Sequence, residues 1–517
     1  MPAAGRISPD TLRAWITDGH ELALLDAREE GEFGGGHLFW AVPCPLSRAE
    51  LRIPALLPRI GVRTVCVDDG RGLAERLAAL LIERGASDVH VLEGGTKACA
   101  DAGYVLFTGV NVPSKAFGEW VEHHYGTESV DAAELKVWQD EGRDLAILDS
   151  RPMDEFRRMS IPGGINVPGG ELAYRIGDLV PDPNTLIVVN CAGRTRSIMG
   201  AESLRRAGVP NRVVALRNGT MGWTLAGLEV ARGREERYPE GRPRTAGAAL
   251  ERAKRFAEAS GVGIIGPLDL DRFEEDPDRT LYVLDVRDSA EFAAHHRPGS
   301  RNAPGGQLVQ GTDGWIGVRG ARVAIIDDDG VRARMTASWL RQMGHRDVFV
   351  VEGGLDDLAE AGPAPTRAPP AAEIDSVPEG ALVIDLARSI DYRAGHIPGA
   401  VWAVRTRLDA LRDRLAAADS VVLTSPDGIL AGLAVGEAEA LTKAPARTLR
   451  GGTLAWAASG GKLEADRTVP PDEACVDFYL RPYDRNSGVE EAMHAYLSWE
   501  IDLVYEIEKD GTVAFGV

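Results

Sequence analysis

The sequence predicts an α/β protein of four tandem copies of one unit, each a mostly parallel central sheet flanked by helices, followed by a C-terminal helix/strand extension. Three observations predict it. A short apolar strand ending in Asp occurs four times, in LALLDAR, LAILDSR, LYVLDVR and ALVIDLA, at Asp26, Asp149, Asp285 and Asp385. A second apolar run follows in each copy, as TVCVDD, LIVVNC, VAIIDDD and VVLTSPD, and leads into an Ala/Leu-rich helical stretch. A third strand with a glycine turn closes each copy, in VLEGGT, ALRNGT, VVEGG and TLRGGT. Strand and helix alternating at this rhythm build βαβ units on a parallel sheet. Continuous apolar runs such as LIVV and VAII suit strands buried on both faces.

The elements between these landmarks recur in the same order. After each Asp comes an acid followed by an aromatic: Glu32-Phe33, Glu155-Phe156, Glu291-Phe292 and Asp391-Tyr392. Next comes a turn: GGHLFWA around His37, SIPGGIN around Pro162, HRPGSRN around Pro298 and HIPGAVW around Pro398. The units are placed at 8–105, 130–232, 265–362 and 373–465, and the extension at 466–517. Segments 112–126 and 246–260 read as helical joints, and GPAPTRAPPAA (362–372) as an extended, semi-rigid linker. In the extension, VEEAMHAYLSWEIDLVYEI reads as an amphipathic helix running into a strand, packed on the fourth copy.

Composition narrows the function. The 517 residues carry a net charge of −20, and no basic run suggests a nucleic-acid face. No apolar run approaches the ~20 residues needed to span a bilayer, and the N-terminus has no apolar core of signal-peptide length. The five cysteines, at 44, 66, 99, 191 and 475, form no CxxC and no paired spacing. That is neither a disulfide framework nor a zinc site, and a reducing cytoplasm is the expected home. An acidic chain does not draw anions from afar, so any anion site must be made locally.

The pattern D-x-R-x-x-x-E-[FY], then H-I-P-G, then a cysteine loop opening a helix, then G-G-x-x-x-W resembles the rhodanese (sulfurtransferase) family. The four copies cover nearly the whole chain, and the second is most similar at its loop, C-A-G-R-T-R-S from Cys191. The resemblance implies four rhodanese-like domains and a cysteine that carries sulfane sulfur as a persulfide. The second copy departs from the pattern at its turn, where Ser160 stands in place of His.

The loop also has a reading of its own. An ordinary thiol near 8.5 is only about 3% thiolate at pH 7, and the thiolate is the nucleophile. Cys191 sits at a strand end ahead of a helix expected to begin near Ser197, with Ser197 as N-cap. The helix terminus, Arg194 and Arg196 are expected to favour the thiolate. Gly193 is expected to let the backbone curl so that N–H groups face the sulfur. The substrate-binding set is then Ala192, Gly193, Arg194, Thr195, Arg196 and Ser197, with a guanidinium fork taking the oxygens of a thiosulfate-like donor. The acceptor is cyanide or a thiol, and no metal or organic cofactor is needed. Asp149 and Arg151 are candidates for supporting the loop from behind, or a structural pair fixing the strand-to-loop corner, and Glu155 reads as structural. Phosphatase-like loops space cysteine and arginine as C-x5-R, one residue longer than here.

The other slots hold no cysteine. Asp68 lies as far beyond Asp26 as Cys191 beyond Asp149; the third copy offers Asp327 or Asp328, the fourth Thr424 or Ser425. A carboxylate there is expected to fill the loop's donors itself. The expectation is a sulfurtransferase in which only the second copy is catalytic. The alternative is a persulfide carrier or scaffold that serves a protein thiol partner with little turnover.

Overall fold

The computed structural model describes residues 4–355 and 373–516, so the Pro/Ala linker expected at 362–372 lies outside the described residues. In the second unit five strands, all parallel, lie in the order Ser129–Val130, Val213–Leu216, Leu186–Asn190, Leu145–Asp149, Ile165–Asn166. The third unit repeats that order with Gly263–Ile265, Val348–Val351, Arg322–Ile326, Leu281–Asp285 and Arg301–Asn302. The fourth repeats it with Glu373–Ile374, Ala446–Leu449, Val421–Thr424, Leu382–Asp385 and Val401–Trp402. The first unit has the same order, and its strand Leu22–Asp26 also pairs antiparallel with Val318–Arg319 of the third. Its edge strand Gly5–Ile7 lies ahead of the boundary expected at residue 8.

Each strand that ends in Asp turns a corner, and the Asp fixes it. In the first three units the carboxylate takes the guanidinium two residues on, at 2.6 Å in Asp26–Arg28, Asp149–Arg151 and Asp285–Arg287. Each arginine then donates to a carbonyl on the far side of the next short helix: Gly36 at 2.9 Å, Met159 at 2.6 Å and His295 at 2.6 Å. These pairs are buried, so each partner is held by the cost of leaving the other uncompensated. The fourth unit has Ala387 in the arginine's place and keeps only the backbone bond from its N–H to Asp385, at 2.9 Å.

The acid–aromatic step and the turn pack together. Phe33 stacks on His37 at 3.8 Å, Phe292 on His296 at 4.1 Å and Tyr392 on His396 at 3.8 Å. Where Ser160 replaces the His, the ring stack is lost but the backbone bridge is not. Ser160 and Ala231 exchange N–H···O bonds of 2.8 Å, as His37 and Phe107 do.

Both expected joints are helices, Val112–Tyr125 and Ala246–Ala259. The second and third units meet at two glycine pairs: a Cβ on Gly306 would lie 2.9 Å from the amide nitrogen of Gly170. Trp339 of the third unit donates to Ser203 of the second at 2.8 Å.

The extension differs from expectation in two ways. Among its described residues there is no strand; Val489–Asp510 is one helix. The β-branched residues of its second half were misleading, because the buried positions Met493, Leu497, Glu500, Leu503, Ile507 and Asp510 keep one helical face throughout. Nor does this helix pack on the fourth unit. It lies along the joint helix Val112–Tyr125 and is anchored on the first unit, where Arg13 donates to the Asp510 carbonyl at 2.7 Å and Trp40 to Thr512 at 3.0 Å. The segment before it runs as a strap from the fourth unit past the first, where Gly31 donates to the Val476 carbonyl at 2.8 Å, to the second, where Arg158 meets Asp484 at 2.5 Å. Among the described residues no helix is long and apolar enough to cross a membrane.

Candidate active site

Strand Leu186–Asn190 ends at the carboxyl edge of its sheet, where parallel α/β folds place their ligand sites, and delivers Cys191 there. The loop is braced from below. Ser150 Oγ donates to the Asn190 carbonyl at 2.8 Å, and Asn190 Nδ2 donates to Asp149 at 2.9 Å. The Asp149–Arg151 pair thus holds the residue next to the thiol as well as the corner.

The loop's carbonyls are taken from outside. Thr220 N–H donates to the Cys191 carbonyl at 2.9 Å and Met221 N–H to that of Ala192 at 3.0 Å. This close approach is why the turn ends in Gly219: a Cβ there would sit 2.3 Å from the Cys191 oxygen. Among the described residues nothing accepts from the N–H groups of Ala192, Gly193 or Arg194. Among the described residues these donors are left unanswered by the loop's own side chains, as in an anion nest.

Helix Thr195–Arg206 follows, and its cap is Arg194, not Ser197. Ser197 lies inside the first turn, its Oγ donating to the Arg194 carbonyl at 2.7 Å and accepting from the Cys191 thiol, with Sγ 3.6 Å away. The serine is thus a partner of the sulfur. Cys191 itself is 2% exposed. Cys44, Cys66, Cys99 and Cys475 are buried and unpaired too. Burial pushes the Cys99 thiol up to about 11 and that of Cys44 up to about 12.

The two arginines are not open forks. Arg194 donates to Glu119 at 2.8 and 2.7 Å and also to Glu122, both on the joint helix ahead of the unit. Arg196 makes a bidentate pair with Glu155, at 2.9 and 2.8 Å. Burial disfavours the Glu155 carboxylate, but the charge and hydrogen bonds of Arg196 outweigh it and hold the carboxyl down at about 2. The acid of the acid–aromatic step is therefore more than scaffold: in the first three units it takes the loop arginine, as Glu32–Arg71 at 2.7 Å, Glu155–Arg196 at 2.8 Å and Glu291–Arg332 at 2.6 Å.

The extension closes the site from above. Met493 and Leu497 pack on Ala192 and Met221, with Tyr483 and Tyr496 around them. Glu500 accepts from Lys115 at 2.8 Å and from Thr195 Oγ1 at 3.4 Å. A Cβ on Gly193 would lie 3.0 Å from Met221 Cε and 3.1 Å from Glu500 Oε2. Gly193 is thus required by the covering side chains and has no positive φ, so the expected backbone curl is not its role. Glu119, Glu122, Tyr483, Tyr496 and Glu500 were all missed in the sequence. They come from outside the repeated unit, and no spacing rule links them to the loop.

The other slots are filled by their own side chains. Asp68 accepts from the N–H groups of Gly70 at 2.8 Å, Leu73 at 2.7 Å and Ala74 at 3.3 Å. Asp327 accepts from Gly330 at 2.7 Å and Ala333 at 3.0 Å. In the fourth unit the slot is Ser425, which accepts from Ala431 at 3.3 Å, while its carbonyl takes the Thr453 N–H as that of Cys191 takes Thr220. Asp327, Asp328 and Asp329 lie close enough to share an ion, but Asp328 is paired with Arg332 at 2.8 Å and Asp327 is spent on the loop.

A family model described as Rhodanese-like domain matches residues 8–102, 131–226 and 269–361, and does not extend to the fourth unit. A crystal structure described as thiosulfate sulfurtransferase from Pseudomonas aeruginosa is 44% identical, with a TM-score of 0.92, covering 99% of this chain and 99% of its own. The HTH-type transcriptional regulator Rv0324 of Mycobacterium tuberculosis is 36% identical over 107 residues, 20% of this chain and 46% of its own length. The putative sulfur carrier protein YrkF of Bacillus subtilis is 33% identical over 96 residues, 19% of this chain and 49% of its own length. The chain spans about half the length of these curated relatives.

Proposed function

The chain belongs to the rhodanese family and is a transferase of that type, and from this premise we propose that it moves sulfane sulfur through a persulfide on Cys191. In the first half-reaction the Cys191 thiolate attacks the outer sulfur of thiosulfate or a similar donor. The new S–S bond forms as the donor's S–S bond breaks, and sulfite leaves with that electron pair. In the second, cyanide or a thiolate takes the outer sulfur and returns the Cys191 thiolate. This is covalent, two-step transfer. Neither half-reaction asks for a metal or an organic cofactor.

The observation that carries the reading is the contrast between slots. The loops at Asp68 and Asp327 spend their N–H groups on a carboxylate of their own, whereas those of Ala192, Gly193 and Arg194 are left for a sulfur or its substrate. The second unit is then the catalytic one. The fourth, with the same strand order, is read as a further repeat of the family domain. In this reading Ala192, Gly193, Thr195 and Ser197 surround the sulfur, Arg194 and Arg196 hold the loop's charge through their carboxylates, and Asp149 and Arg151 hold it in place. The five unpaired cysteines support a reducing, cytoplasmic setting. The test is thiosulfate-to-cyanide transfer: it vanishes in Cys191→Ser and survives in Cys66→Ser. Transfer that persists without Cys191 overturns the proposal.

A second reading is favoured by one observation. Cys191 is 2% exposed beneath the C-terminal helix, which suits a carrier that holds sulfur until a protein thiol partner displaces the cover. Stoichiometric loading without turnover identifies the carrier.

A further inference from the structure

We propose that Arg481, on the strap before the C-terminal helix, receives the anionic end of the sulfur donor. The inference rests on the persulfide reading of Cys191 and adds to it a substrate-binding residue outside the family domain, whose matches end at residue 361. Three arginines gather at the loop. Arg194 is held by two carboxylates and Arg196 by both oxygens of Glu155. Neither has a fork left for a substrate. Among the described residues Arg481 has no carboxylate at hydrogen-bond distance of its guanidinium. Its Nη1 is 3.8 Å from Glu155, whose oxygens are already taken by Arg196, and 3.1 Å from the Tyr483 hydroxyl.

Two arginines thus share this one acid. The place of Arg481 is fixed: Tyr483 packs in the patch with Ala192 and Met221, and Arg158 grips the strap at the Tyr483 carbonyl, at 2.9 Å, and at Asp484, at 2.5 Å. The Arg481 side chain is 37% exposed. A planar fork of this kind matches the oxygens of a sulfonate or carboxylate. The chemistry selected is a donor whose transferable sulfur is attached to an anionic group.

The experiment follows loading of Cys191 by intact mass, with two donors that present sulfur in the same way. Thiosulfate is a dianion; methyl methanethiosulfonate is uncharged and leaves a methylthio group on the same thiol, releasing methanesulfinate. Arg481→Gln is expected to slow loading from dilute thiosulfate by about tenfold to a hundredfold, the worth of one charge-assisted contact. The uncharged reagent senses only the thiolate fraction and is expected to be slowed much less than thiosulfate, and Arg481→Lys to recover part of the loss. Equal slowing with both reagents, or wild-type loading from thiosulfate, overturns the inference and leaves the persulfide reading standing. A wild-type chain that takes no sulfur from thiosulfate while the uncharged reagent labels Cys191 overturns both.

Discussion

Replacing Glu155 by Gln separates charge from shape at the loop. The amide keeps an acceptor for Arg196 but removes the negative charge that Arg196 and Arg481 share. Its size follows from the carboxyl's titration: a fall from 4.5 to about 2 on folding corresponds to roughly 3 kcal/mol of stabilisation at neutral pH. The folded carboxyl ionises below its unfolded value, so this contribution is complete above 4.5 and is lost as pH falls toward 2. The gap between wild type and Glu155→Gln should then be about 3 kcal/mol at pH 7 and about half that near pH 3. Several units need not unfold together, so the gap is read locally, from hydrogen exchange of helix Thr195–Arg206. Without Glu155 the positive charge beside the sulfur is less well matched, and alkylation of Cys191 at pH 7 should be faster. A gap below 1 kcal/mol at pH 7, or one that does not change between pH 7 and pH 3, refutes the account of the pair.

Other outcomes follow from the same contacts. Gly193→Ala puts a methyl 3.0 Å from Met221 Cε and 3.1 Å from Glu500 Oε2, so the covering helix should be displaced and Cys191 should react several times faster with a bulky maleimide; an unchanged rate counts against the cover. Asp149→Asn leaves Arg151 buried without its partner and should cost about 3–5 kcal/mol in exchange protection of the second unit. Asp385→Asn, where Ala387 replaces the arginine, should cost the fourth unit about 1 kcal/mol; equal costs refute the role given to the pair. In a Cys191→Ser background Asp68→Cys should carry no cyanide-labile sulfur, whereas replacing residues 68–74 with CAGRTRS should restore some loading. Equal loading of the two constructs refutes the importance of the surrounding donors.

Much of this was legible because the chain repeats itself. Asp26, Asp149, Asp285 and Asp385 marked four strand ends, and the structure places a strand terminus at each. The cysteine slot was legible for the same reason, since constant spacing put Asp68 and Asp327 where Cys191 stands. Legibility failed where contacts cross between units. Glu119 and Glu500 reach the loop from a joint helix and from the C-terminal helix, and nothing repeats there to align them. The helix Val489–Asp510 was misread for a local reason. Its VYEI stretch favours a strand by composition, but Leu503 and Ile507 continue the buried face set by Met493 and Leu497, and burial overrides propensity.

The missed contacts alter the physical account of the thiol. Read from the sequence, the loop holds a nucleophile between two unmatched cations. In the structure those cations are matched, by Glu119 and Glu122 on one side and Glu155 on the other. A buried loop with two bare guanidinium groups would be costly to fold, and the acids remove that cost. What remains specific to the anion is short in range: free N–H groups, the Ser197 hydroxyl at 3.6 Å and a single partly shared arginine. The same economy explains the other slots. Where Asp68 supplies the anion from the chain itself, the loop is satisfied without a ligand, so the unit keeps its fold and has no need of a substrate. On the proposed reading, reactivity in this molecule depends on leaving a few donors unanswered in one loop of four.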